Sequence, residues 1–294
     1  MNPVPAIGRF APSPTGDLHF GSLVSAVGSY LEAKSAGGLW LLRIEDIDPP
    51  REVTGSAGRI INDLHRLGLN PDGRVLYQSS RTAAYQDTVD KLLKKGLAYP
   101  CACSRKDLPE SGIYAGTCRN GIPTGKFPRS IRFRVDAGVC TFIDKIQGVV
   151  SDSPAGSAGD FVIRRADGLF AYQLAVVVDD HFQGVTQVVR GADLLDSTTR
   201  QICLQKALGY VTPDYMHLPI VISADGKKLS KRTLTDPVNR QQPATAVEHA
   251  LQFLGQNPPS GMPLNDLWKW ALDHWSSDRI PRVRVNLPNS GLSA

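Results

Sequence analysis

Strand-like and helix-like patterns alternate at the start of the chain. Residues 7–11 are predicted as a short strand, and the Pro-Ser-Pro-Thr-Gly segment that follows predicts a loop, because prolines interrupt regular structure. Apolar residues then recur at helical spacing from Ser22 until Gly37 and Gly38, and residues 39–44 form a second apolar strand. Strand, loop, helix and strand in this order predict a βαβ unit with a parallel sheet.

Similar patterns continue along the rest of the chain. Further helices are predicted at residues 60–67, 85–93, 197–208, 244–254 and 264–275. Further strands are predicted at residues 131–135 and 219–222, and residues 171–178 form an apolar run that we expect to be buried. A polar, cationic loop, residues 224–232, follows the last of these strands directly.

Composition and charge narrow the class of protein. With 41% hydrophobic and 21% charged residues, the chain has globular composition, which excludes disordered, collagen-like and low-complexity proteins. A formal net charge of +5 suits a polyanionic partner such as RNA without requiring one. A length of 294 residues predicts about two domains, or one α/β domain with an insertion.

The location of the protein is also predicted from the sequence. Its apolar stretches are too short for a bilayer span, and its first ten residues lack the basic head and apolar run of a signal peptide. Five cysteines are an odd number in a chain with no export signal. We therefore expect a cytoplasmic protein with reduced thiols and no membrane contact. The sequence leaves the oligomeric state open, with a monomer favoured.

Two short polar motifs lie where a parallel sheet binds nucleotides. His19 and Gly21 stand where the first loop enters a helix, and the free N–H groups of a helix N-terminus bind phosphate. Lys228 and Lys231 belong to the cationic loop after the last predicted strand, which would place both motifs at the carboxyl edge of one sheet. Taken separately, the first motif also fits a surface histidine beside a helix cap made by Ser22, and the second fits a solvated turn.

Together the two motifs resemble the HIGH and KMSKS signatures of class I aminoacyl-tRNA synthetases, and further blocks resemble the glutamyl-tRNA synthetase family. In chain order these blocks are Arg9-Phe10-Ala11-Pro12-Ser13-Pro14-Thr15-Gly16, Leu42-Arg43-Ile44-Glu45-Asp46, Tyr172-Gln173-Leu174-Ala175 with Val178-Asp179-Asp180, and Val189-Arg190-Gly191. Independent short motifs rarely fall in family order by chance. The resemblance implies a Rossmann-like α/β catalytic domain with a parallel sheet, an inserted zinc-binding module and a short helical C-terminal part.

Two departures from the complete synthetases point to their short paralogues. Few residues follow Arg232, too few for the large helical anticodon-binding region, and the family's Arg-Gly-Glu-Asp-His stretch reads Arg-Gly-Ala-Asp-Leu at residues 190–194. Resemblance to the short paralogues implies an ATP-dependent ligase that forms glutamyl-adenylate without tRNA. It further implies transfer of L-glutamate to queuosine at the wobble position, in the anticodon stem-loop of tRNA(Asp).

Adenylate formation needs no protein nucleophile, because the glutamate carboxylate itself attacks the α-phosphorus of ATP. Catalysis then depends on cations and N–H donors around the phosphates. We expect His19 and the helix N-terminus at Gly21 to bind the α- and β-phosphates, with Mg²⁺ accompanying ATP. Lys231 suits the leaving pyrophosphate, and Lys228 and Arg232 would assist it.

Glutamate has two carboxylates and one ammonium group, so its pocket needs cations, one anion and a neutral donor. Arginine suits a bidentate grip on a carboxylate, and a glutamate side chain would pair with the ammonium. Each of these charged residues taken alone also fits a surface salt bridge, and the sequence leaves open which arginine holds which carboxylate. By resemblance to the family, the predicted glutamate-binding residues are Arg9, Phe10, Ala11, Pro12, Ser13, Glu45, Tyr172 and Arg190.

Three cysteines lie in a short, core-poor stretch within residues 100–130, and their soft thiolates suit a structural zinc ion. The resemblance implies a tyrosine as the fourth ligand. Because a free phenol loses its proton only near pH 10, Asp107, Glu110 or water remain alternatives, as do three packed thiols without metal. Cys140 and Cys203 are assigned to the core or the surface. The predicted zinc ligands are Cys101, Cys103, Tyr114 and Cys118.

The sequence gives little information about which residues contact RNA. Trp268, Trp270 and Trp275 are able to stack on bases, but their helical spacing favours packing within the protein. The arginines that we consider as RNA contacts, each of which also fits a solvated charge, are Arg119, Arg129, Arg279, Arg282 and Arg284.

The predicted organisation has four parts: the first half of the catalytic domain at residues 1–98, an insertion with the zinc module at 99–190, the second half with the cationic loop at 191–240, and a helical module at 241–294. Two other functions remain open. A truncated synthetase would charge a different acceptor, and a non-catalytic RNA-binding paralogue would be expected to have lost His19, Lys231 or Glu45, all of which are present.

Overall fold

The computed structural model describes residues 5–220 and 238–282. The strands are β1 (Ile7–Phe10), β2 (Leu39–Ile44), β3 (Leu76–Tyr77), β4 (Ala98–Cys101), β5 (Ser130–Phe133), β6 (Cys140–Asp144), β7 (Gly148–Asp152), β8 (Phe161–Arg164), β9 (Gln187–Gly191) and β10 (Asp214–Leu218). The α-helices are α1 (Phe20–Ser35), α2 (Ser56–Arg66), α3 (Thr82–Lys94), α4 (Pro154–Ser157), α5 (Tyr172–Phe182), α6 (Leu195–Leu208), α7 (Pro243–Phe253) and α8 (Leu264–His274). Lys228, Lys231, Arg232 and Arg284 lie outside the described residues.

Two sets of parallel strands lie edge to edge and position the site. One has the order β1-β2-β3, and the other has the order β7-β6-β10-β9, in which β7 alone runs antiparallel to its neighbour. The backbone N–H of Thr186 donates to the carbonyl oxygen of Ile7 over 2.9 Å, which places β9 beside β1. The strand order therefore reverses between β1 and β9, and folds of this kind bind ligands at that point. The predicted α/β class with a parallel sheet is confirmed.

Helix α1 packs across both sets of strands because one of its faces is apolar. Leu23, Val27 and Leu31 recur at helical spacing and are fully buried in the main core, which also takes apolar side chains of α7 and α8. The helix ends before Gly37, whose φ of 68° lies in the left-handed region that glycine adopts without strain. Gly38 then brings the chain close to Ala6 at the entry to β1.

A second, smaller core lies beside the parallel strands. Here β5 pairs antiparallel with β4 and with β8, and α3 and α5 pack against this sheet. The apolar run at residues 171–178 is confirmed as buried, and it belongs to α5. The cysteine-rich stretch lies between β4 and β5 and carries its own small cluster of buried side chains.

The structure differs from the sequence prediction in the position of the last strand and in the segment from which two strands of the parallel sheet come. The strand expected at residues 219–222 is not found at Pro219 and Ile220: β10 ends at Leu218, and Pro219 has no N–H with which to continue the ladder. Residues 221 and 222 lie outside the described residues. Strand β6 lies within residues 99–190 and β9 begins there and ends at Gly191, yet both pair with β10. The predicted sheet therefore includes strands from the segment assigned to the insertion, and the domain division points stay predictions.

The tryptophans of the C-terminal helices pack inward. The indole Nε1–H of Trp268 donates to the carbonyl oxygen of Leu67 over 2.8 Å, and that of Trp275 donates to Glu32 over 2.8 Å. The ring of Trp270 stacks on His274. Packing was the favoured interpretation of these residues. Among the described helices, none is both long and apolar enough to cross a membrane.

We expect two adjacent glycines to differ sharply in their tolerance of alanine. A Cβ atom at Gly38 would lie 2.0 Å from the carbonyl oxygen of Ala6, an oxygen that also accepts the N–H of Leu39. Gly38→Ala must therefore displace backbone at the start of the β1–β2 pair and lower the free energy of unfolding by about 3 kcal/mol. At Gly37 a Cβ atom would contact no other atom, so Gly37→Ala should lower the free energy of unfolding by only about 1 kcal/mol, because of the positive φ. Urea unfolding of both variants measures the difference, and equal losses would contradict this packing.

Candidate active site and cysteine cluster

Four of the predicted glutamate-binding residues converge at the carboxyl ends of adjacent strands. Arg9 lies in β1, Arg190 lies in β9, and Glu45 immediately follows β2. Tyr172 opens α5, and its hydroxyl lies 3.4 Å from Nη1 of Arg190. Because these strands are neighbours and parallel, residues far apart in sequence meet at one edge.

A buried charge network holds Arg9 and Glu45. Asp180 of α5 accepts from Nε of Arg9 at 3.1 Å and from Nη1 of Arg43 at 2.7 Å. Nη2 of the fully buried Arg43 donates to Glu45 at 3.3 Å. Burial favours the neutral acid, but the two arginines hold the pKa of Asp180 below its usual value. At Glu45 the effect of burial is larger than that of Arg43 and Arg9, so the pKa of this carboxyl group is raised.

Arg190 differs from Arg9 and Arg43 because its hydrogen-bond partners among the described residues are all neutral. Its Nε donates to Nε2 of His217 at 3.0 Å, and Nη1 donates to Gln201 at 2.8 Å. Nη2 donates to the hydroxyl of Thr198 at 2.8 Å and, more weakly, to the carbonyl oxygen of Leu194 at 3.3 Å. Arg190 is only 5% exposed. A buried cation without a contacting carboxylate favours an anionic ligand.

The electrostatics link Tyr172 to the three charged residues. Burial raises the pKa of the Tyr172 phenol, Arg190 and Arg9 oppose that rise, and Glu45 adds to it. The phenol is therefore a neutral O–H group, able to donate to a ligand oxygen or accept from an ammonium group. The group therefore comprises two cations, one carboxyl group and one neutral donor, and its assignment to glutamate stays a prediction.

His19 is the N-cap of α1. Its Nδ1 accepts the backbone N–H of Ser22 at 3.2 Å, so the alternative of a cap made by the Ser22 side chain is wrong. An accepting Nδ1 leaves the proton of the neutral ring on Nε2, which lies 3.1 Å from the Ser22 hydroxyl. Gly21 lies in the first turn, which has no acidic residue to compete with a phosphate.

The loop between β1 and α1 is tied to the end of β2. The backbone N–H of Glu45 donates to the carbonyl oxygen of Pro12 at 2.9 Å, so the loop and the carboxyl group of Glu45 are positioned together. Phe10 is buried and stacks on Trp40, whereas Ser13 is exposed. Ala11 is half-buried. The roles assigned to these residues stay predictions.

The predicted zinc ligands are brought together in space. The sulfur atoms of Cys101, Cys103 and Cys118 all lie within 4.8 Å of one another, and Cys103 and Cys118 are 3.7 Å apart. The hydroxyl of Tyr114 lies 3.4 Å from the sulfur of Cys101 and 3.7 Å from that of Cys103. Tetrahedral zinc with Zn–S bonds of about 2.3 Å separates sulfurs by about 3.8 Å, and sulfur from oxygen by about 3.5 Å. The donor set therefore fits zinc.

Neighbouring groups favour the thiolate form of Cys101 but not the charged form of Tyr114. Burial raises the pKa of Cys101, but hydrogen bonds from Tyr114, from the backbone N–H of Cys103 and from Arg132 bring it below its usual value. Nε of Arg132 lies 3.3 Å from that sulfur, and its guanidinium covers the Tyr114 ring. The backbone N–H of Cys118 donates to the Tyr114 hydroxyl at 2.8 Å. Burial and Cys101 raise the pKa of Tyr114, so it is a neutral phenol in this arrangement.

The other predicted ligands and RNA contacts have different surroundings. Asp107 accepts from the backbone and hydroxyl of Ser104, and the metal-type cluster found in the described residues contains neither Asp107 nor Glu110. Arg119 forms an ion pair with Asp160, which argues against its assignment as an RNA contact. The exposed arginines of this set are Arg129, Arg279 and Arg282.

Sequence reasoning assigned no role to four residues that shape the pocket. Arg43 and Asp180 belong to the family motifs, but the sequence does not show that they are buried together. Asp144 and His217 stood outside every motif. They meet because β6 pairs with β10, and a single sequence shows no signal for that pairing.

Comparisons with known proteins identify the family. The model for the catalytic domain of class I tRNA synthetases (E and Q) matches residues 7–113 and 117–248. The glutamyl-Q tRNA(Asp) synthetase of Dechloromonas aromatica is 52% identical over 96% of this chain and 98% of its own. That of Pseudomonas aeruginosa is 49% identical over 97% of this chain and 98% of its own.

A solved structure shows the same fold. A glutamate tRNA ligase from Elizabethkingia meningosepticum, solved in complex with its amino acid, superposes with a TM-score of 0.80 at 24% identity. The match covers 95% of this chain and 66% of that one, so the chain spans about two thirds of that ligase. Taken with the two curated relatives, the chain belongs to the class I tRNA synthetases and, among them, to the glutamyl-Q tRNA(Asp) synthetases.

Proposed function

We propose that this enzyme forms glutamyl-adenylate from L-glutamate and ATP without tRNA, and then transfers glutamate to queuosine in the anticodon stem-loop of tRNA(Asp). As a member of its family, the chain is a synthetase-type ligase that activates and transfers glutamate. ATP with Mg²⁺, independence from tRNA and the queuosine acceptor are the proposed refinements. The names of the two relatives, glutamyl-Q tRNA(Asp) synthetases, support the proposed acceptor.

The proposal rests on a difference between two buried arginines: Arg9 has a carboxylate partner, and Arg190 has none among the described residues. Asp180 neutralises Arg9, whereas Arg190 contacts only neutral groups among the described residues. A substrate with two carboxylates adds negative charge beside Arg190, and its ammonium group suits the carboxyl group of Glu45. A neutral amino acid brings one carboxylate instead of two, so it would leave one of the carboxylate-binding positions of this site unfilled.

The proposed chemistry uses the chain's residues to bind and orient. Arg190, Tyr172 and Glu45 hold glutamate so that its α-carboxylate reaches the α-phosphorus of ATP. His19, through Nε2–H, and the N–H groups of the first turn of α1 stabilise the charge on the α- and β-phosphates. From the sequence alone, Lys231 is assigned to the leaving pyrophosphate, with Lys228 and Arg232 beside it. Mg²⁺, when bound with ATP, would neutralise phosphate oxygens.

We also assign a structural zinc ion to Cys101, Cys103, Cys118 and Tyr114. The ligand separations support it, as does a segment whose buried side chains are few apart from these residues. Zinc bound there would cross-link the stretch between β4 and β5, and the thiolates it needs persist in a reducing cytoplasm.

We expect Arg190→Ala and Lys231→Ala to impair activation differently. Loss of the buried cation raises the KM for glutamate about 10- to 100-fold. Loss of Lys231 lowers kcat about 100- to 1000-fold, because a charge that stabilises the leaving group is removed. Glutamate-dependent exchange of pyrophosphate into ATP, without RNA, measures both. Arg105→Ala, outside the pocket, is the matched control. Wild-type kinetics for Lys231→Ala would contradict its catalytic assignment.

We expect one zinc ion per chain after purification without chelator. Cys118→Ser loses most of it, whereas Tyr114→Phe weakens binding without abolishing it, because three thiolates remain and water takes the fourth position. Elemental analysis after gel filtration gives the stoichiometry, and Cys203→Ser, outside the cluster, should keep the metal. A metal-free wild-type protein would count against the site.

We expect labelled glutamate to become attached, as an alkali-labile ester, to queuosine-containing tRNA(Asp) from which the 3′-terminal adenosine has been removed. Unpaired anticodon bases can be splayed out and recognised individually, so the modified base is accessible to the site. The same tRNA with guanosine at the wobble position should accept nothing. Loss of labelling after trimming, or equal labelling of both tRNAs, would show a different acceptor.

A further inference from the structure

A buried carboxylate–imidazole pair lies directly behind Arg190. Nδ1 of His217 lies 2.6 Å from Oδ2 of Asp144, and Nε2 of His217 accepts from Nε of Arg190 at 3.0 Å. Asp144 and His217 are 1% and 0% exposed, so water does not compete for these contacts. The three residues form a chain from β6 through β10 to β9 that ends at the predicted glutamate pocket.

The direction of each hydrogen bond is determined by chemistry. Nε of arginine is always a donor, so Nε2 of His217 must be unprotonated, and the ring proton is on Nδ1. Asp144 accepts that proton, and backbone N–H groups of Ile146 and Gln147 also donate to its carboxylate at 3.0 and 2.8 Å. The carboxylate thereby selects the histidine tautomer that accepts from Arg190.

The surroundings of His217 keep its ring neutral. Burial lowers the pKa of His217 to about 4, Asp144 opposes that change, and Arg190 and Arg9 add to it. The groups that face the ring are Asp144 of β6, Arg190 of β9, Arg9 of β1, Thr198 of α6 and Tyr215 of β10 itself. If the ring were protonated, the N–H group at Nε2 would face the N–H group of Arg190, and two cations would lie side by side.

Resting on the proposed function, we propose that His217, with its tautomer set by Asp144, is a positioning residue that orients the Arg190 guanidinium for a carboxylate of glutamate. Its contact fixes the Nε side of Arg190. Gln201 and Thr198 hold Nη1 and Nη2 at 2.8 Å. The second contacts of these nitrogens, to Tyr172 and Leu194, are long, 3.4 and 3.3 Å, and a substrate oxygen can replace them. A glutamate carboxylate then meets a preoriented fork of donors.

Three variants separate positioning from general stability. His217→Leu removes the acceptor and should raise the KM for glutamate about 10- to 100-fold, with the KM for ATP changed less than about twofold. His217→Gln returns an acceptor near the position of Nε2 and should restore most of that loss. Asp144→Asn presents a donor to Nδ1, shifts the ring proton to Nε2 and should behave like His217→Leu although the histidine remains. His181→Gln, outside the pocket, is the matched control.

Pyrophosphate exchange gives these constants, and nuclear magnetic resonance of the wild type with ¹⁵N-labelled histidine gives an independent readout. At pH 6 the His217 signals, assigned by their loss in His217→Gln, should show a protonated Nδ1 and an unprotonated Nε2. A protonated Nε2, or an unchanged glutamate KM in both His217→Leu and Asp144→Asn, would overturn the proposal. Absence of glutamate-dependent exchange in the wild type would instead overturn the proposed function, and the resonance experiment still tests the tautomer.

Discussion

The burial of three arginines at one edge of a parallel sheet is the constraint on which this site depends. A guanidinium removed from water needs an anion or a full set of acceptors, and the chain supplies both in different places. Arg9 and Arg43 share the carboxylate of Asp180, whereas Arg190 is surrounded by neutral acceptors. This asymmetry leaves one position at the edge where an added carboxylate is favourable.

The strand order creates that edge. Strands β1 and β9 are neighbours although they are far apart in sequence. Arg9 and Arg190 therefore reach the same pocket from the two sets of parallel strands. Helix α1 follows β1 after one loop, so its N-terminus with His19 lies at the same edge as the amino acid pocket. The reversal of strand order therefore places a phosphate-binding helix end and a carboxylate-binding arginine together.

The sequence predicted the parts of this site that belong to local patterns. The βαβ unit followed from the apolar residues of β1, α1 and β2, and the pocket residues followed from family motifs. Strand β10 was misplaced because its polar His217 and Asp214 interrupt the apolar pattern, although Asp144 and Arg190 make His217 a core residue. Contacts between distant strands, such as β6 with β10, have no mark in a single sequence, so the support behind Arg190 could not be predicted.

The central claim is that Arg190 is a preoriented cation awaiting a substrate carboxylate. A crystal structure of the protein with bound L-glutamate tests it most directly. The account predicts a glutamate carboxylate oxygen within hydrogen-bond distance of Nη1 or Nη2 of Arg190, while Nε stays bonded to Nε2 of His217. Glutamate bound with no contact to Arg190, or an Arg190 side chain turned away from His217, would contradict it.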